Sequence, residues 1–241
     1  MEESPKRIRA YLGGVPVADS RHARYVWEIP YYPAYYLPRT DVRTELLTPT
    51  GHREHSPSRG DASYFTVSVG GKTAVNAAWQ YADSPLPELR DLIRFHWPAM
   101  DQWFEEDEEV FVHPRDPYKR VDTLRSSRHA QVVVNGVTVA ESRAPTLLFE
   151  TGLPTRYYLP QTDVRLDLLE PTATVTQCPY KGTAHYWTVN VDGRRFPDYV
   201  WSYPSPFQES LKIAGLMSFY NEKVDLIVDG DLLERPRSPF S

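Results

Sequence analysis

Short apolar runs separated by turn residues recur along the chain. Each run alternates apolar and polar positions, which is the period of a strand with one buried face. Glycine-containing pairs of the type that closes a two-residue β-hairpin lie between consecutive runs. Four such pairs occur: Gly13-Gly14, Gly70-Gly71, Asn135-Gly136 and Asp192-Gly193. The pattern predicts a mainly β protein built from hairpins, with a late strand at 224–230.

One segment, 86–104, has apolar residues at helical spacing. Leu89, Leu92, Ile93 and His96 follow a period near 3.6 before Pro98 interrupts it. We therefore expect helix to be a minor element, located mainly in this segment.

The chain repeats itself. Residues 35–50 match residues 157–172 at 12 of 16 positions with a shift of 122, and the same shift relates Trp79 to Trp201. Such internal similarity indicates two structural units of one kind. Further along, WFEE at 103–106 aligns with FYNE at 219–222 at a shift of 116, which predicts six extra residues in the first unit.

The polar stretch around 116–128 separates the units, and we place the boundary near residue 124. The predicted domains are therefore 1–124 and 125–241. Two small β units of about 120 residues each have limited cores, so we expect them to dock as an intramolecular pseudo-dimer in a monomeric chain.

Composition narrows the classes of function. Lys and Arg number 27 against 32 Asp and Glu, a net charge of −5, which disfavours nucleic-acid binding. No apolar stretch reaches the length of a membrane helix, and the start of the chain lacks the apolar segment of a secretion signal. We expect a cytoplasmic protein with neither nucleic-acid nor membrane partners. The single cysteine, Cys178, excludes an intramolecular disulfide.

The most informative motif is CPYKG at 178–182. Pro179 and Gly182 predict a β-turn, in which the first and fourth Cα atoms lie within about 7 Å. Cys178 and Lys181 take those positions, so the ammonium would favour the nucleophilic thiolate. This predicts a catalytic pair.

Two alternatives to this catalytic pair stay open. A free cysteine more often serves as a small apolar filler, and this alternative, in which the turn is architectural, is the favoured one. Contact with a ligand without covalent chemistry is the other alternative. The first unit has Ser56 and Arg59 at the corresponding positions, so the turn recurs there without the thiol.

Arg165 is a candidate anion-binding residue. Val164, Leu166 and Leu168 alternate with Arg165, so a strand here would direct the guanidinium to a polar side or a cavity. Pairing with Glu150 or Asp163 as an internal strut is the alternative, and it is favoured because the first unit keeps the same residues.

Paired aromatic residues are the third feature. They are typical of a buried core, but rings beside polar groups also form the walls of small-molecule sites. We name as candidate ligand-binding residues, with Arg165, the rings Tyr158, Tyr186, Trp201 and Tyr203.

Other sites are set aside. His52, Glu54 and His55 lack the spacing of a strong zinc signature, and the second unit has no histidine at the corresponding positions. The chain contains no Walker, GxGxxG or GxSxG motif. We therefore expect neither a metal site nor a cofactor.

The series YYLPQTDVR, CPYKG, HYWTV, VWSYP and FYNEKVDLIVDG at 157–230 resembles the domain-of-unknown-function family number 427, and the first unit resembles a diverged second copy. The resemblance covers nearly the whole chain. It implies a tandem of two beta-tent-like domains. A nucleotidyltransferase label is attached to the family, but this sequence lacks the glycine-serine and paired-acid signature of such enzymes.

Three functions follow from these observations. The first is an enzyme acting on a small organic molecule through a pocket in the second repeat. The second is a non-catalytic small-ligand-binding or scaffolding module, and the third is nucleotidyltransferase-like activity. The sequence does not distinguish an enzyme from a binding protein.

Overall fold

Each of the four predicted turn pairs joins two antiparallel strands in the computed structural model, which describes residues 1–241. Both residues of every pair have positive φ, between 49° and 88°. This is the backbone of a type I′ turn, and it explains why glycine, Asn135 and Asp192 occur there. The predicted hairpins are confirmed.

The first compact unit, residues 1–116, contains eleven strands. They are β1 (Glu2–Glu3), β2 (Ile8–Leu12), β3 (Val15–Ser20), β4 (Arg24–Val26), β5 (Ala34–Pro38), β6 (Leu47–Ser56), β7 (Gly60–Val69), β8 (Lys72–Gln80), β9 (Leu92–Phe95), β10 (Gln102–Glu105) and β11 (Glu108–Glu109). Seven form an antiparallel sheet in the order β1-β4-β5-β9-β8-β7-β6, and four form a second sheet in the order β11-β10-β2-β3.

The second unit, residues 117–241, also contains eleven strands. They are β12 (Val121–Arg125), β13 (Ala130–Val134), β14 (Val137–Ser142), β15 (Thr146–Glu150), β16 (Arg156–Leu159), β17 (Leu169–Cys178), β18 (Gly182–Val191), β19 (Arg194–Ser202), β20 (Met217–Phe219), β21 (Asp225–Val228) and β22 (Asp231–Leu232). The sheet orders are β12-β15-β16-β20-β19-β18-β17 and β14-β13-β21-β22.

The two units share one strand plan, since each strand from β1 to β11 has its counterpart eleven strands later. This confirms a mainly β tandem repeat. The residue 124 at which the sequence placed the boundary lies within β12, which pairs with β15 of the second unit.

The seven-stranded sheet of each unit buries both faces. One face contributes to the main core together with the smaller sheet, as Leu159, Val189 and Val200 of the large sheet join Val132 and Leu226 of the small one. The opposite face in the second unit carries an aromatic cluster that we call the second-repeat cluster. Its buried members are Leu148, Tyr158, Ala184, Tyr186, Trp201, Tyr203 and Ile213.

The helix predicted over 86–104 is wrong. Strands β9 and β10 lie in that segment, with short 3-10 turns at Pro87–Leu89 and Trp97–Ala99. The apolar residues of β9 are buried because this strand pairs with β5 on one side and β8 on the other. A short apolar run buried between two strands has no periodicity that separates it from a helix.

The remaining helical segments are 3-10 turns at Arg39–Asp41, Thr44–Leu46, Gln161–Asp163, Leu166–Leu168 and Gln208–Ile213. None of the helical segments is long and apolar enough to cross a bilayer. The strand expected across Arg165 does not form, because two of these turns flank that residue and β17 begins only at Leu169.

The alignment of WFEE at 103–106 with FYNE at 219–222 is also wrong. Trp103 pairs with Ala10 in the first unit, and Leu226 pairs with Val132 at the equivalent place in the second. These partners relate β10 to β21 at a shift of 123. The repeats therefore stay nearly in register, without six extra residues in the first unit.

Candidate functional site

The CPYKG turn connects β17 to β18, and Cys178 pairs with Gly182 across the turn. Gly182 has φ of +97°, and a Cβ there would meet the Ser205 carbonyl oxygen at 3.4 Å. Phe207 N donates to Lys181 O at 3.2 Å. A side chain at position 182 would therefore be strained, and the turn is held against the segment 205–207.

Lys181 points into the protein and forms a buried ion pair. The residue is 8% exposed, and its Nζ donates to Oε2 of Glu150, which is 9% exposed at the end of β15. Burial lowers the pKa of Lys181, but electrostatic interactions with Cys178 and Glu150 raise it more, so its pKa lies above that of a free lysine. The ammonium form is therefore stable in this environment.

Cys178 is half-buried and packs against the second-repeat cluster. The structure thus brings Cys178, Lys181 and Glu150 together at one end of the large sheet. Packing of the thiol against rings also agrees with the alternative in which it fills space.

The four predicted rings share the face of this cluster. Trp201 Nε1 donates to the Tyr158 hydroxyl at 3.0 Å, and the Tyr186 hydroxyl lies 2.8 Å from Thr176 Oγ1. Tyr203 is 6% exposed. Burial raises the pKa of Tyr158 and of Tyr203, so both stay neutral in the folded protein. Tyr158 and Trp201 form a packed wall beside Lys181, whereas Tyr186 and Tyr203 do not line the pocket there.

A second buried ion pair lies next to this wall. Arg156 on β16 donates from Nη1 and Nη2 to the two carboxylate oxygens of Glu222 at 2.6 and 2.7 Å. Its guanidinium carbon lies 5.5 Å from the Trp201 ring centroid and 5.7 Å from the rings of Tyr220 and Phe240. The side chain of Glu222 has no exposed surface. Sequence reasoning missed this pair, although Arg156 directly precedes the repeated YYLP segment where the first repeat has Ala34.

Arg165 does not join the site. Its exposed guanidinium forms an ion pair with Asp167, two residues along the chain, at 2.6 Å. Neither of the expected strut partners binds it: Glu150 accepts from Lys181, and Asp163 accepts from Ser142 Oγ at 2.6 Å. The local 3-10 turns place Arg165 on the surface.

The first repeat has a related but different polar cluster. Glu28, equivalent to Glu150, accepts hydrogen bonds from Tyr36 and Arg94, and Arg59 Nη2 lies 3.8 Å from its Oε2. Arg94 lies over the Trp79 ring at 4.7 Å. A carboxylate beside a tryptophan and a cation is therefore common to both repeats.

Cavities accompany both clusters. In the second repeat, a pocket of about 70 Å³ is lined by Lys181, Glu150, Arg156, Tyr158 and Trp201, among others. In the first repeat, a cavity of about 290 Å³ lies beside Glu28 and Arg94. Of the two cavities beside the clusters, the larger lies in the repeat that lacks the thiol, a result that the motif comparison does not predict.

The structure groups no three His, Cys, Asp or Glu side chains in an arrangement suited to a metal ion. His52 instead pairs with Glu54 at 3.0 Å, and His55 pairs with Asp61 at 2.7 Å. These are exposed local contacts on the β6–β7 hairpin.

Comparison with known proteins identifies the repeats. The model of the family described as a domain of unknown function (DUF427) matches residues 1–106 and again residues 122–230. No curated protein in the comparison matches the chain. The two matches cover both units that the strand order makes equivalent. This chain therefore belongs to the DUF427 family and carries two tandem copies of its domain.

Proposed function

We propose that this protein binds a small organic molecule non-covalently in the pocket of its second repeat. The observation that carries the proposal is that two buried ion pairs, Lys181–Glu150 and Arg156–Glu222, meet at one aromatic-walled cavity. The single free cysteine is compatible with a reducing, cytoplasmic setting.

Buried charges rarely serve stability alone. Removing an ion pair from water costs free energy that its mutual attraction often fails to recover, so hydrophobic replacements are frequently as stable. A cavity with a few convergent polar groups and buried ionisable residues is typical of a ligand site. Lys181 and Arg156 supply donors at this cavity, and Trp201 and Tyr220 supply apolar walls.

The size of the pocket limits the ligand. About 70 Å³ accommodates a molecule of a few heavy atoms, whereas sites for drug-sized ligands start at roughly 300 Å³. A nucleotide exceeds this space, so the pocket does not suit nucleotidyl transfer. Each cation already has a carboxylate partner, Glu150 or Glu222, so the two pairs carry no net charge. The N–H groups of Lys181 and Arg156 at the pocket favour a small polar molecule that accepts hydrogen bonds, such as one with a carboxylate group.

Thiol chemistry is the second candidate. It is favoured by the CPYKG turn, which places the Cys178 sulfur near the Lys181 ammonium. Glu150 already accepts a hydrogen bond from this ammonium, however, and the sulfur packs against rings. Binding without covalent chemistry therefore has the stronger geometric support.

Binding of acetate, glycolate and glycine, measured by saturation-transfer NMR, tests the main proposal. We expect at least one probe to bind the natural protein and to lose binding in the double variant Glu150→Gln/Lys181→Met, which removes both charges together. Arg165→Ala is the matched control and should bind normally. Absence of binding by all three probes, or unchanged binding in the double variant, contradicts the proposal.

Iodoacetamide alkylation tests the thiol candidate. A reactive pair predicts alkylation of Cys178 faster than that of free glutathione, and slower alkylation in the double variant, because a thiolate reacts and a thiol does not. A slow rate that the double variant leaves unchanged would assign Cys178 to packing.

A further inference from the structure

The cavity of the first repeat lies where β5 begins and β9 ends, and it has an aromatic side and a polar side. Trp97 and Trp103 stack at 4.7 Å between ring centroids on the aromatic side, near Tyr35. Glu28 and Arg94 line the polar side. At about 290 Å³ the cavity approaches the volume of small-molecule sites, which start at roughly 300 Å³.

The second repeat shows what closes the equivalent space. Ala34 pairs with Val26 in the first repeat, and Arg156 pairs with Leu148 at the same register in the second. Arg156 extends into this region and bonds to Glu222, with Nη1 also 3.4 Å from Asn221 Oδ1. Two smaller pockets, of about 180 and 70 Å³, remain there, and Asn221 and Arg156 line one each. The small side chain of Ala34 leaves the first-repeat cavity undivided.

The polar side of the first-repeat cavity has an excess of positive charge. Glu28 and Arg94 line the cavity, and Arg59, which does not line it, lies with Nη2 3.8 Å from Glu28 Oε2. The carboxylate and the two guanidinium groups together carry a net charge of +1. Arg94 uses Nη1 to bond Glu28, and its side chain keeps 26% of its surface exposed. Its Nε and Nη2 are the donors with which a guanidinium binds a carboxylate.

The cavity wall also contains a strained apolar residue. Val112 has φ of +70°, a conformation that a β-branched residue rarely adopts, and it is 52% exposed where it lines the cavity. Burial of its own side chain does not offset this strain. Strained backbone of this kind clusters at ligand sites.

We propose that the first repeat binds a small aromatic carboxylic acid in this cavity, with the ring against the Trp97–Trp103 side and the carboxylate at Arg94. The site is independent of the second-repeat pocket and does not require Cys178 or Lys181. An aromatic body matches the rings, and an anion matches the excess positive charge.

The test uses benzoate and 1-naphthoate as probes, with benzyl alcohol as the neutral aromatic control and hexanoate, which is also too large for the second-repeat pocket, as the ring-free control. Saturation-transfer NMR detects binding, and calorimetric titration measures the Kd. We expect the aromatic acids to bind at least about tenfold more tightly than either control. Absence of binding by both acids, or equal binding of benzyl alcohol, overturns the proposal.

Variants then locate the site. Ala34→Arg copies the second repeat and should weaken benzoate binding at least about tenfold, whereas Val75→Arg, which adds the same charge at an exposed strand position, should change it by less than about twofold. Arg94→Gln keeps a polar side chain on β9 and should weaken the binding of benzoate more than that of benzyl alcohol. It tests the site independently if Ala34→Arg fails to fold. Unchanged benzoate affinity in a folded Ala34→Arg or Arg94→Gln protein overturns the assignment.

Discussion

The two repeats place a guanidinium over the same tryptophan from different strands. In the first repeat Arg94 reaches Trp79 from β9, and in the second Arg156 reaches Trp201 from β16. Ser218 stands where the first repeat has Arg94, and it is fully buried. Strand β16 is the counterpart of β5, which is the neighbour of β9 in the sheet. The cation therefore lies on adjacent strands in the two repeats, and it contacts the equivalent tryptophan in both.

The glutamate that occurs at the same position in both repeats has different hydrogen-bond partners in each. Glu28 accepts from Tyr36 and Arg94, whereas Glu150 accepts from Lys181. The Tyr158 hydroxyl does not bond to the glutamate as its counterpart Tyr36 does, and it accepts a hydrogen bond from Trp201 Nε1 instead. In the first repeat the equivalent Trp79 Nε1 is buried without a hydrogen-bond partner. One backbone plan thus supports two polar networks, and the positions of a few long side chains decide whether the adjacent space is open.

The largest expected effect comes from Arg156→Ala. The substitution leaves the Glu222 carboxylate buried without its cation, with only the hydrogen bond from Ser238 Oγ, and removing one partner of a buried ion pair typically costs about 3 to 5 kcal/mol of stability. Urea unfolding measures the loss.

The double variant Arg156→Met/Glu222→Leu removes both charges and should recover most of that stability. Arg165→Ala, which removes an exposed arginine from the same repeat, is the control and should leave the urea midpoint unchanged. A loss below about 1 kcal/mol for Arg156→Ala would show that water reaches Glu222.

A smaller effect distinguishes the two glutamates. Glu150→Gln leaves the buried Lys181 ammonium without a carboxylate partner and should lower the free energy of unfolding by about 3 kcal/mol. Glu28→Gln should cost about 1 kcal/mol, because the side chains of Arg59 and Arg94 are 22% and 26% exposed and remain partly hydrated. Unfolding curves for the two matched variants give the comparison, and equal losses would contradict the difference that we draw between the clusters.

The smallest expected effect is a pH dependence specific to the second repeat. Burial raises the pKa of Glu222, but hydrogen bonds from Arg156 and Ser238 lower it more, so its pKa lies below the usual value. A folded-state pKa below the unfolded one stabilises the protein above about pH 4, and this stabilisation is lost as the pH falls through the folded-state pKa.

Urea midpoints measured from pH 6 to pH 3 should therefore fall more steeply for the natural protein than for Arg156→Met/Glu222→Leu. The other carboxylates are common to both proteins and cancel in the difference. Parallel pH profiles would show that Glu222 contributes no acid dependence.

Much of the fold was predictable from local sequence. The turn pairs at Asn135-Gly136 and Asp192-Gly193 require positive φ, and few residue types other than glycine, Asn and Asp accept it. The repeat was visible because 35–50 and 157–172 keep the same residues. The buried rings and the turn that holds Cys178 beside Lys181 were also predicted.

The failures share a physical cause. Leu92 and Ile93 were assigned to a helix because a segment of four residues is too short to show a distinct period. The pairing of β9 with β5 and β8 makes this segment a strand. Arg165 was predicted to face a cavity because the prediction assumed a strand at this position. Two 3-10 turns flank the residue instead, and its side chain lies on the surface, where it pairs with Asp167.

The amino-acid order by itself determined the hairpins, the duplication and the placement of one thiol and one amine on a single turn, because these depend on backbone preferences over a few residues. The choice between an open and a divided cavity was decided only in three dimensions. It depends on whether the arginine lies on β9, as Arg94 does, or on the strand equivalent to β5, as Arg156 does. It also depends on the contacts of Arg156 with Asn221 and Glu222, which are about 65 positions away in the chain. Contacts at that separation leave no local signal in the chain.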